Sequence, residues 1–303
     1  MAKKLLVLAL AALVSAGLFA AGKQEAPALG TEKNPIVWSF VPSGEMERVS
    51  SGARSVADLI NKQTGLFVKT NVATEYAGVI EAMAANPPTA HMSSLATAAY
   101  IMAAERKVCE AAMVSVRNKS LTYNGQYITK KGSGIAKLAD LKGKTFARPD
   151  PLSASGWIVP MISLKAAGID WSKDLAKIVD AGSHDAVVAA VYRGDVDAGS
   201  CYVDARTRIE KQFPDVMDKV VVIAVSDAIP NDGVQFHPSV PKEIRDKICD
   251  ALLAMLQTDD GKKALNTAYQ WTGLEKKDDR FYDPFRQVLQ AAGLKADVLM
   301  PKK

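Results

Sequence analysis

Short apolar runs alternate along this chain with longer segments whose apolar residues recur at helical spacing. Residues 36–40 predict a strand, and residues 47–64 predict a helix with one apolar face. Gly65 follows as a typical helix stop. The folded part of the chain is therefore expected to begin near residue 35 with a strand and a helix.

The same alternation continues toward the C-terminus, where a mainly helical tail follows Pro241. Further strands are predicted at residues 67–72, 111–116, 145–147, 176–180, 196–201 and 220–225. Further helices are predicted at residues 76–85, 95–106, 156–167, 185–193, 203–213, 262–269 and 281–292. This alternation is typical of α/β proteins with mostly parallel sheets, which bind ligands beyond the carboxyl ends of their strands. With 303 residues and 48% hydrophobic content, the chain is long enough for two such lobes.

A polar segment at residues 146–160 passes from an extended run into a helix. Ser153 and Ser155 lie at this junction, where free backbone N–H groups and the helix dipole favour an anion. Two hydroxyls at this spacing can bond different oxygens of one tetrahedral ion. The alternative is an ordinary helix cap, in which Ser153 accepts a hydrogen bond from the amide of Ser155 or Gly156.

A second polar loop, residues 181–186, also lies between an apolar strand and a helix. His184 can donate an N–H to an anion there, and Asp185 can cap the helix and orient the ring. The alternative is a histidine with a purely structural role at a helix start.

Four more side chains fall at predicted junctions between strands, loops and helices. They are Tyr76, Met92, Asp204 and Asp232. Helix capping or turn formation explains each aspartate in isolation, because aspartate serves both purposes routinely. Only their joint occurrence at predicted strand ends indicates a binding role.

The N-terminal residues 1–22 combine a basic start, an apolar run and small residues, which is the pattern of a secretory signal peptide. Residues 23–34 are predicted to be a flexible tether. An uncleaved membrane anchor is the alternative for the apolar run. Because the first cysteine of the chain is Cys109, we expect export without an N-terminal lipid anchor on cysteine.

Charge and the scattered cysteines exclude several function classes. The net charge is +5, or +3 once Lys3 and Lys4 leave with the signal (5 − 2), which is too mild to indicate nucleic-acid binding. Cys109, Cys201 and Cys249 form no metal-binding motif and allow at most one internal disulfide. We therefore expect no metal, no cofactor and no nucleic-acid partner.

Motifs for catalysis are absent from the sequence. There is no Gly-x-Ser-x-Gly elbow, no Walker-type loop and no Gly-x-Gly-x-x-Gly segment. Ser155 precedes Gly156 but follows Ser153 and Ala154. We expect binding without turnover, with an exported phosphoester hydrolase as the alternative.

Three segments together resemble the phosphate, phosphite and phosphonate-binding components of ABC transporters, the PhnD-like family. They are residues 150–160, residues 182–185 with 191–199, and residues 74–78. The resemblance extends over residues 36–293. It implies a type II periplasmic binding protein: two α/β lobes, each a mixed sheet flanked by helices, joined by two hinge segments, with the ligand in the cleft between them.

The resemblance also implies which residues bind the ligand. The serine-rich oxyanion loop of the family falls on Ser153, Ala154 and Ser155, with alanine where the family often has threonine. The cleft histidine of the family falls on His184, and its first-lobe tyrosine falls on Tyr76.

Four further ligand-binding residues are expected on the same grounds. Met92 stands where some phosphonate binders carry a second tyrosine. Asp204 and Asp232 match the two acidic residues that hold the ammonium group in aminophosphonate binders. Ser43 completes the predicted set.

The resemblance places lobe I at residues 35–127 and 227–300 and lobe II at residues 128–226. It implies an exported, monomeric solute-binding protein that takes a small phosphorus oxyanion or organophosphonate to the permease subunits of an ABC importer. A sulfonate or an arsenic oxyanion is the alternative ligand, the latter because Cys201 is expected near the cleft. A sensing partner of a membrane kinase would share the fold.

Overall fold

A computed structural model describes residues 27–294 as an α/β protein with two mixed sheets. The predicted signal segment, residues 1–22, lies outside the described residues, as does the beginning of the predicted tether. The described part of that tether, residues 27–34, is a turn rather than an open linker. The Gly30 amide donates to the Asn34 carbonyl at 2.8 Å, and the Gly30 carbonyl accepts from the Phe67 amide at 2.8 Å.

The strands, in chain order, are β1 (Ile36–Phe40), β2 (Val68–Val72), β3 (Met92–Ser94), β4 (Glu110–Val116), β5 (Thr122–Lys130), β6 (Thr145–Arg148), β7 (Lys177–Asp180), β8 (Ala198–Tyr202), β9 (Val220–Pro230), β10 (Gly233–Phe236) and β11 (Gly273–Lys276). The α-helices are α1 (Met46–Thr64), α2 (Tyr76–Ala84), α3 (Thr97–Glu105), α4 (Val159–Ala166), α5 (His184–Arg193), α6 (Val216–Lys219), α7 (Lys242–Met255), α8 (Asp259–Tyr269) and α9 (Asp283–Ala291). Short 3₁₀ helices occupy Leu138–Leu141, Ala205–Ile209 and Asp279–Tyr282, and a π-helical segment, Ala154–Ile158, leads into α4. None of the helices between residues 27 and 294 is both long enough and apolar enough to cross a membrane.

Each lobe is built on one sheet. The first sheet has the strand order β11-β4-β10-β3-β1-β2, and the second has the order β7-β6-β8-β5-β9. Parallel pairs join β1 to β2 and β3, and β6 to β7 and β8, whereas the other pairs are antiparallel. The expectation of mixed sheets is confirmed, and the expectation of mostly parallel sheets is wrong because strands next to the crossings between lobes pair antiparallel.

The chain passes between the lobes twice. β4 of the first sheet leads to β5 of the second through residues 117–121, and β9 leads back to β10 through residues 231–232. Because β5 and β9 pair with each other over most of their length, the sheets change at these two segments. The predicted lobe boundaries, at residues 127 and 227, instead fall inside β5 and β9.

Two predicted elements differ from the structure in kind or extent. The predicted helix over residues 203–213 is only the 3₁₀ turn Ala205–Ile209, because Asp204 adopts a left-handed conformation with φ of 68°. The last predicted helix begins at Asp283 as an α-helix, with Pro284 in its first turn, after a 3₁₀ turn. β3, β5, β10 and β11 were not predicted as strands.

The apolar core binds the helices to the sheets. A larger cluster contains Trp38 and Phe40 of β1, whose rings stack at 4.8 Å, and it extends to Leu164 of α4. A smaller cluster contains Val187 and Val191 on the buried face of α5. This packing holds the ends of the strands, where the polar residues lie.

Gly52 sets the contact between α1 and α8. A Cβ at Gly52 would lie 2.6 Å from the Ala268 Cα, so the two helices approach through the missing side chain. Because α8 carries several polar residues into the space between the lobes, this contact also positions part of the ligand site.

We expect Gly52→Ala to destabilise the protein by about 1–3 kcal/mol, because the backbones of α1 and α8 must separate. The matched control is Gly78→Ala in α2, whose added Cβ makes only ordinary contacts at 3.8 Å. That substitution should be neutral or stabilise by about 0.5–1 kcal/mol, since alanine favours a helix over glycine. Urea unfolding of both variants measures the difference, and equal effects would contradict this account of the contact.

Candidate ligand-binding site

A cavity of about 400 Å³ lies between the two lobes. Seven of the nine predicted ligand-binding residues line it. They are Ser43, Tyr76, Ser153, Ser155, His184, Asp204 and Asp232. The structure therefore brings together residues that are widely separated in the sequence.

Helix starts from both lobes lie at this cavity. Ser43 lies just before the start of α1, and Tyr76 is the first residue of α2. Ser153 caps the π-helical segment that leads into α4, and His184 is the first residue of α5. Helix starts present N–H groups and partial positive charge, so their convergence favours an anion.

Ser153 combines the two roles that its position predicts. Its Oγ accepts the Gly156 amide at 3.1 Å, which is the capping bond, and lies 3.3 Å from His184 Nε2 on the cavity wall. Among the residues that the structure describes, the amides of Ala154 and Ser155 donate no backbone hydrogen bond. Gly156 lets this turn close over Pro149, because an added Cβ would overlap the proline ring.

His184 is held as a neutral donor. Its Nδ1 accepts a hydrogen bond from the Tyr202 amide at 3.3 Å, so the ring proton is on Nε2, which points toward Ser153. Burial, with a smaller contribution from the Arg117 charge, lowers the pKa of His184 to about 3. At neutral pH the ring therefore offers one N–H and no charge.

Tyrosines surround the serines. Burial, and then the Asp150 carboxylate, raise the pKa of Tyr76 well above its ordinary value, and the adjacent Ser153 opposes that shift. Burial likewise raises the pKa of Tyr123 to about 12, against the effect of the adjacent Ser155. Both phenols stay protonated at neutral pH and line the cavity as hydrogen-bonding groups.

Carboxylates of the second lobe reach across to the first. The Asp185 Oδ2 forms an ion pair with Arg48 at 2.9 Å and accepts the Glu45 amide at 3.0 Å. The Asp150 Oδ2 accepts the Tyr76 amide at 3.0 Å, at the start of α2. Asp185 was expected to cap α5 and orient His184, but Ser183 caps that helix instead.

Asp232 is fully engaged at the crossing between lobes. Its carboxylate pairs with Arg117 at 2.7 Å, accepts the Ser115 hydroxyl at 2.7 Å and accepts the Trp271 indole N–H at 3.1 Å. Arg117 belongs to the first crossing segment and Asp232 to the second, so this ion pair joins the two. Asp232 lines the cavity with its charge already balanced.

Asp204 differs from Asp232. It is exposed at the cavity wall, and its carboxylate has no ion-pair partner within residues 27–294. Met92 and Ala154 do not line the cavity: both side chains are fully buried in the apolar core. Met92 is the first residue of β3, where its side chain packs rather than faces a ligand.

The cysteines take no part in the cavity. Cys109, Cys201 and Cys249 are buried free thiols. Cys201 does not line the cavity, although the next residue, Tyr202, does; burial raises the pKa of the Cys201 thiol to about 12. Among the described residues no group of three or more histidine, cysteine, aspartate or glutamate side chains is arranged to hold a metal ion.

Sequence reasoning missed several cavity residues. Arg48, Arg117, Tyr123 and Gln270 line the cavity but belong to no recognisable local pattern. Asp150 lies within residues 146–160, the segment that contains both serines. Its contact, however, is with the start of α2, 74 positions away in the chain.

The family of the chain follows from its sequence. Residues 38–282 match the family described as the periplasmic substrate-binding protein of ABC phosphonate transporters. The chain belongs to that family. The match covers both lobes and every residue that lines the cavity.

Two relatives of the chain agree with that assignment. The chain is 27% identical to the phosphonates-binding periplasmic protein of Escherichia coli, covering 76% of this chain and 68% of that protein. It is 25% identical to the phosphate-import protein PhnD of Mycolicibacterium smegmatis, covering 70% of this chain and 69% of that protein.

Solved structures share the fold. A binding protein component of an ABC phosphonate transporter from Pseudomonas aeruginosa superimposes with a TM-score of 0.78 at 25% identity, covering 86% of this chain and 87% of that one. A Prochlorococcus marinus protein, solved in complex with methylphosphonate, superimposes with a TM-score of 0.75 at 14% identity over 85% of this chain and 98% of that one. These matches confirm the two-lobed periplasmic binding protein fold.

The buried neutral histidine predicts how stability depends on pH. The unfolded chain protonates His184 near pH 6.5, whereas the folded protein does so only near pH 3. The stability that the neutral His184 contributes is therefore fully present above pH 6.5. Below that pH it decreases by about 1.4 kcal/mol per pH unit.

We expect the free energy of unfolding of the unmodified protein to fall about 2–3 kcal/mol further between pH 6.5 and pH 4.5 than that of His184→Gln. Urea unfolding at both pH values measures this difference. Glutamine keeps a side-chain N–H but does not titrate, and the other titrating groups are common to both proteins. Parallel pH profiles would contradict the neutral, buried state of His184.

Proposed function

We propose that this chain is the exported binding protein of an ABC importer and that it holds a phosphorus oxyanion or organophosphonate in the cavity between its lobes. The observation that carries the proposal is the convergence of Ser153, Ser155 and the His184 Nε2–H at helix starts on one cavity wall. Its relatives include a phosphonates-binding protein and a phosphate-import protein.

The donors match the needs of a tetrahedral anion. An oxyanion loses its hydration on entering a cleft, so each oxygen must meet a donor. Ser153, Ser155, the amides at the start of the π-helical segment and His184 supply these donors without a cationic side chain. Each hydrogen bond to the charged group contributes about 1.5–3 kcal/mol.

The carboxylates bear on which anion is bound. In aminophosphonate binders of this family two acidic residues hold an ammonium group, but here Asp232 is already paired with Arg117. Of these two aspartates in the cavity lining, Asp204 is the one whose carboxylate a cationic group could use. This arrangement favours phosphite, phosphate or a phosphonate without an ammonium group over an aminophosphonate.

We propose binding without turnover. A serine nucleophile needs a neighbouring histidine that accepts its proton, with a carboxylate on the other ring nitrogen. In His184 the nitrogen nearest Ser153 carries the proton, and the other accepts a backbone amide. This is the reverse of the protonation that a hydrolase requires.

Closure of the lobes completes the proposed cycle. Segments 117–121 and 231–232 act as the hinge, and the monomeric protein presents its closed form to the permease. A ligand that contacts both lobes shifts the population toward that form. Asp150 and Asp185 add contacts between the lobes, which a separation of the lobes would break.

We expect Ser155→Ala and His184→Ala to weaken the binding of the best ligand by about 10-fold to 100-fold, because each removes a donor to a charged group. Calorimetric titration with phosphate, phosphite, methylphosphonate and 2-aminoethylphosphonate identifies that ligand and measures the loss. The control is Ser55→Ala, an exposed serine on α1 outside the cavity, which should leave affinity unchanged. Reduced melting temperature with unchanged affinity would show that Ser155 and His184 are structural only.

Removing the contact between lobes should weaken binding indirectly. We expect Asp185→Asn, whose side chain does not line the cavity, to raise the apparent Kd about 10-fold by populating the open form. Small-angle X-ray scattering should show a larger radius of gyration for the ligand-free variant. Asp195→Asn is the control, because Asp195 pairs with Arg193 within one lobe. A variant with unchanged Kd and radius would rule out a closing role for Asp185.

A further inference from the structure

The cavity is larger than a simple oxyanion needs. At about 30 Å³ for each water in the liquid, a volume of 400 Å³ corresponds to about 13 waters. Phosphite or methylphosphonate has only four or five heavy atoms and fills a minor part of that space. The donors around Ser153, Ser155 and His184 account for the oxyanion, which leaves several polar residues of the lining without an assigned role.

That remaining lining includes four polar residues, which we call the polar wall: Asn118, Asp204, Asn266 and Gln270. Gln270 is half-buried and the other three are exposed. Within residues 27–294 none of these four side chains is engaged in a hydrogen bond or an ion pair, whereas Asn124 nearby donates to the Ser226 carbonyl. The wall therefore holds donors and acceptors without protein partners in the cavity lining.

The charges in the cavity lining do not favour a second anionic group beside the wall. Both arginines of the lining, Arg48 and Arg117, are paired with carboxylates. α8 ends at the wall with Gln270 as its C-cap, so its partial negative end faces this part of the cavity. Together with the unpaired Asp204, these features attract hydrogen-bond donors.

From this juxtaposition we infer that the physiological ligand is an organophosphonate with a hydroxyl-bearing substituent several atoms long, which lies against the polar wall. The inference rests on the proposed function, because it takes the phosphonate group to be bound at Ser153, Ser155 and His184. Hydroxyl groups suit the wall because each donates to Asp204 or to an amide oxygen and accepts from an amide N–H.

The test compares four probes by calorimetric titration: methylphosphonate, propylphosphonate, 2-aminoethylphosphonate and 2,3-dihydroxypropylphosphonate. We expect the dihydroxypropyl compound to bind at least about 10-fold more tightly than each of the others. Asp204→Asn and Asn266→Ala should each reduce its advantage over propylphosphonate by about 3-fold or more. Asparagine tolerates the left-handed conformation of residue 204, and alanine favours the helical conformation of residue 266, so both variants should fold.

Gln287→Ala is the matched control, because Gln287 is an exposed amide on α9 outside the cavity. It should leave the ratio of the two dissociation constants unchanged. If methylphosphonate or propylphosphonate binds as tightly as the dihydroxypropyl compound, the inference is overturned while the proposed function stands. If 2-aminoethylphosphonate binds most tightly, the wall recognises an ammonium group rather than hydroxyl groups, and the inference is also overturned. If no phosphonate or phosphorus oxyanion binds, the proposed function itself fails.

Discussion

A phosphorus oxyanion is strongly hydrated, and a protein that encloses it must replace that hydration completely. This chain meets the constraint with dipoles instead of free charges: helix starts, hydroxyl groups and one neutral imidazole converge on the cavity, while both lining arginines are occupied by aspartates. Within each lobe such an arrangement is fixed before the ligand arrives, so binding requires the lobes to close but little rearrangement of the donors themselves. The fold serves this purpose, because strand ends from two sheets deliver the helix starts to one place.

The state of His184 follows from a backbone contact. The Tyr202 amide, at the end of β8, donates to Nδ1 and thereby places the proton on Nε2. Burial then keeps the ring from gaining a second proton near neutral pH. A charged imidazole would bind anions more strongly but with less discrimination, since any anion gains from a full positive charge.

Much of the architecture could be predicted from hydrophobic spacing, because long amphipathic segments such as α1, which Gly65 ends in a left-handed conformation, carry a strong local signal. β3, with three residues, is too short for periodicity to show, and only pairing with β1 and β10 makes it a strand. The serines and His184 could be found because helix starts have local signatures. Arg117 and Asp150 could not, since their roles depend on contacts between the lobes. Met92 was misplaced because a position matched by resemblance does not reveal which way a strand turns its side chain.

The buried thiols have a practical consequence. All three cysteines of the sequence lie inside the protein, and burial raises the pKa of each, so none is a ready nucleophile. A single cysteine introduced at the rim of the cleft would thus be the preferred target for a thiol-reactive dye. The native chain is in this sense already prepared for conversion into a fluorescent reporter of its own ligand, without prior removal of natural cysteines.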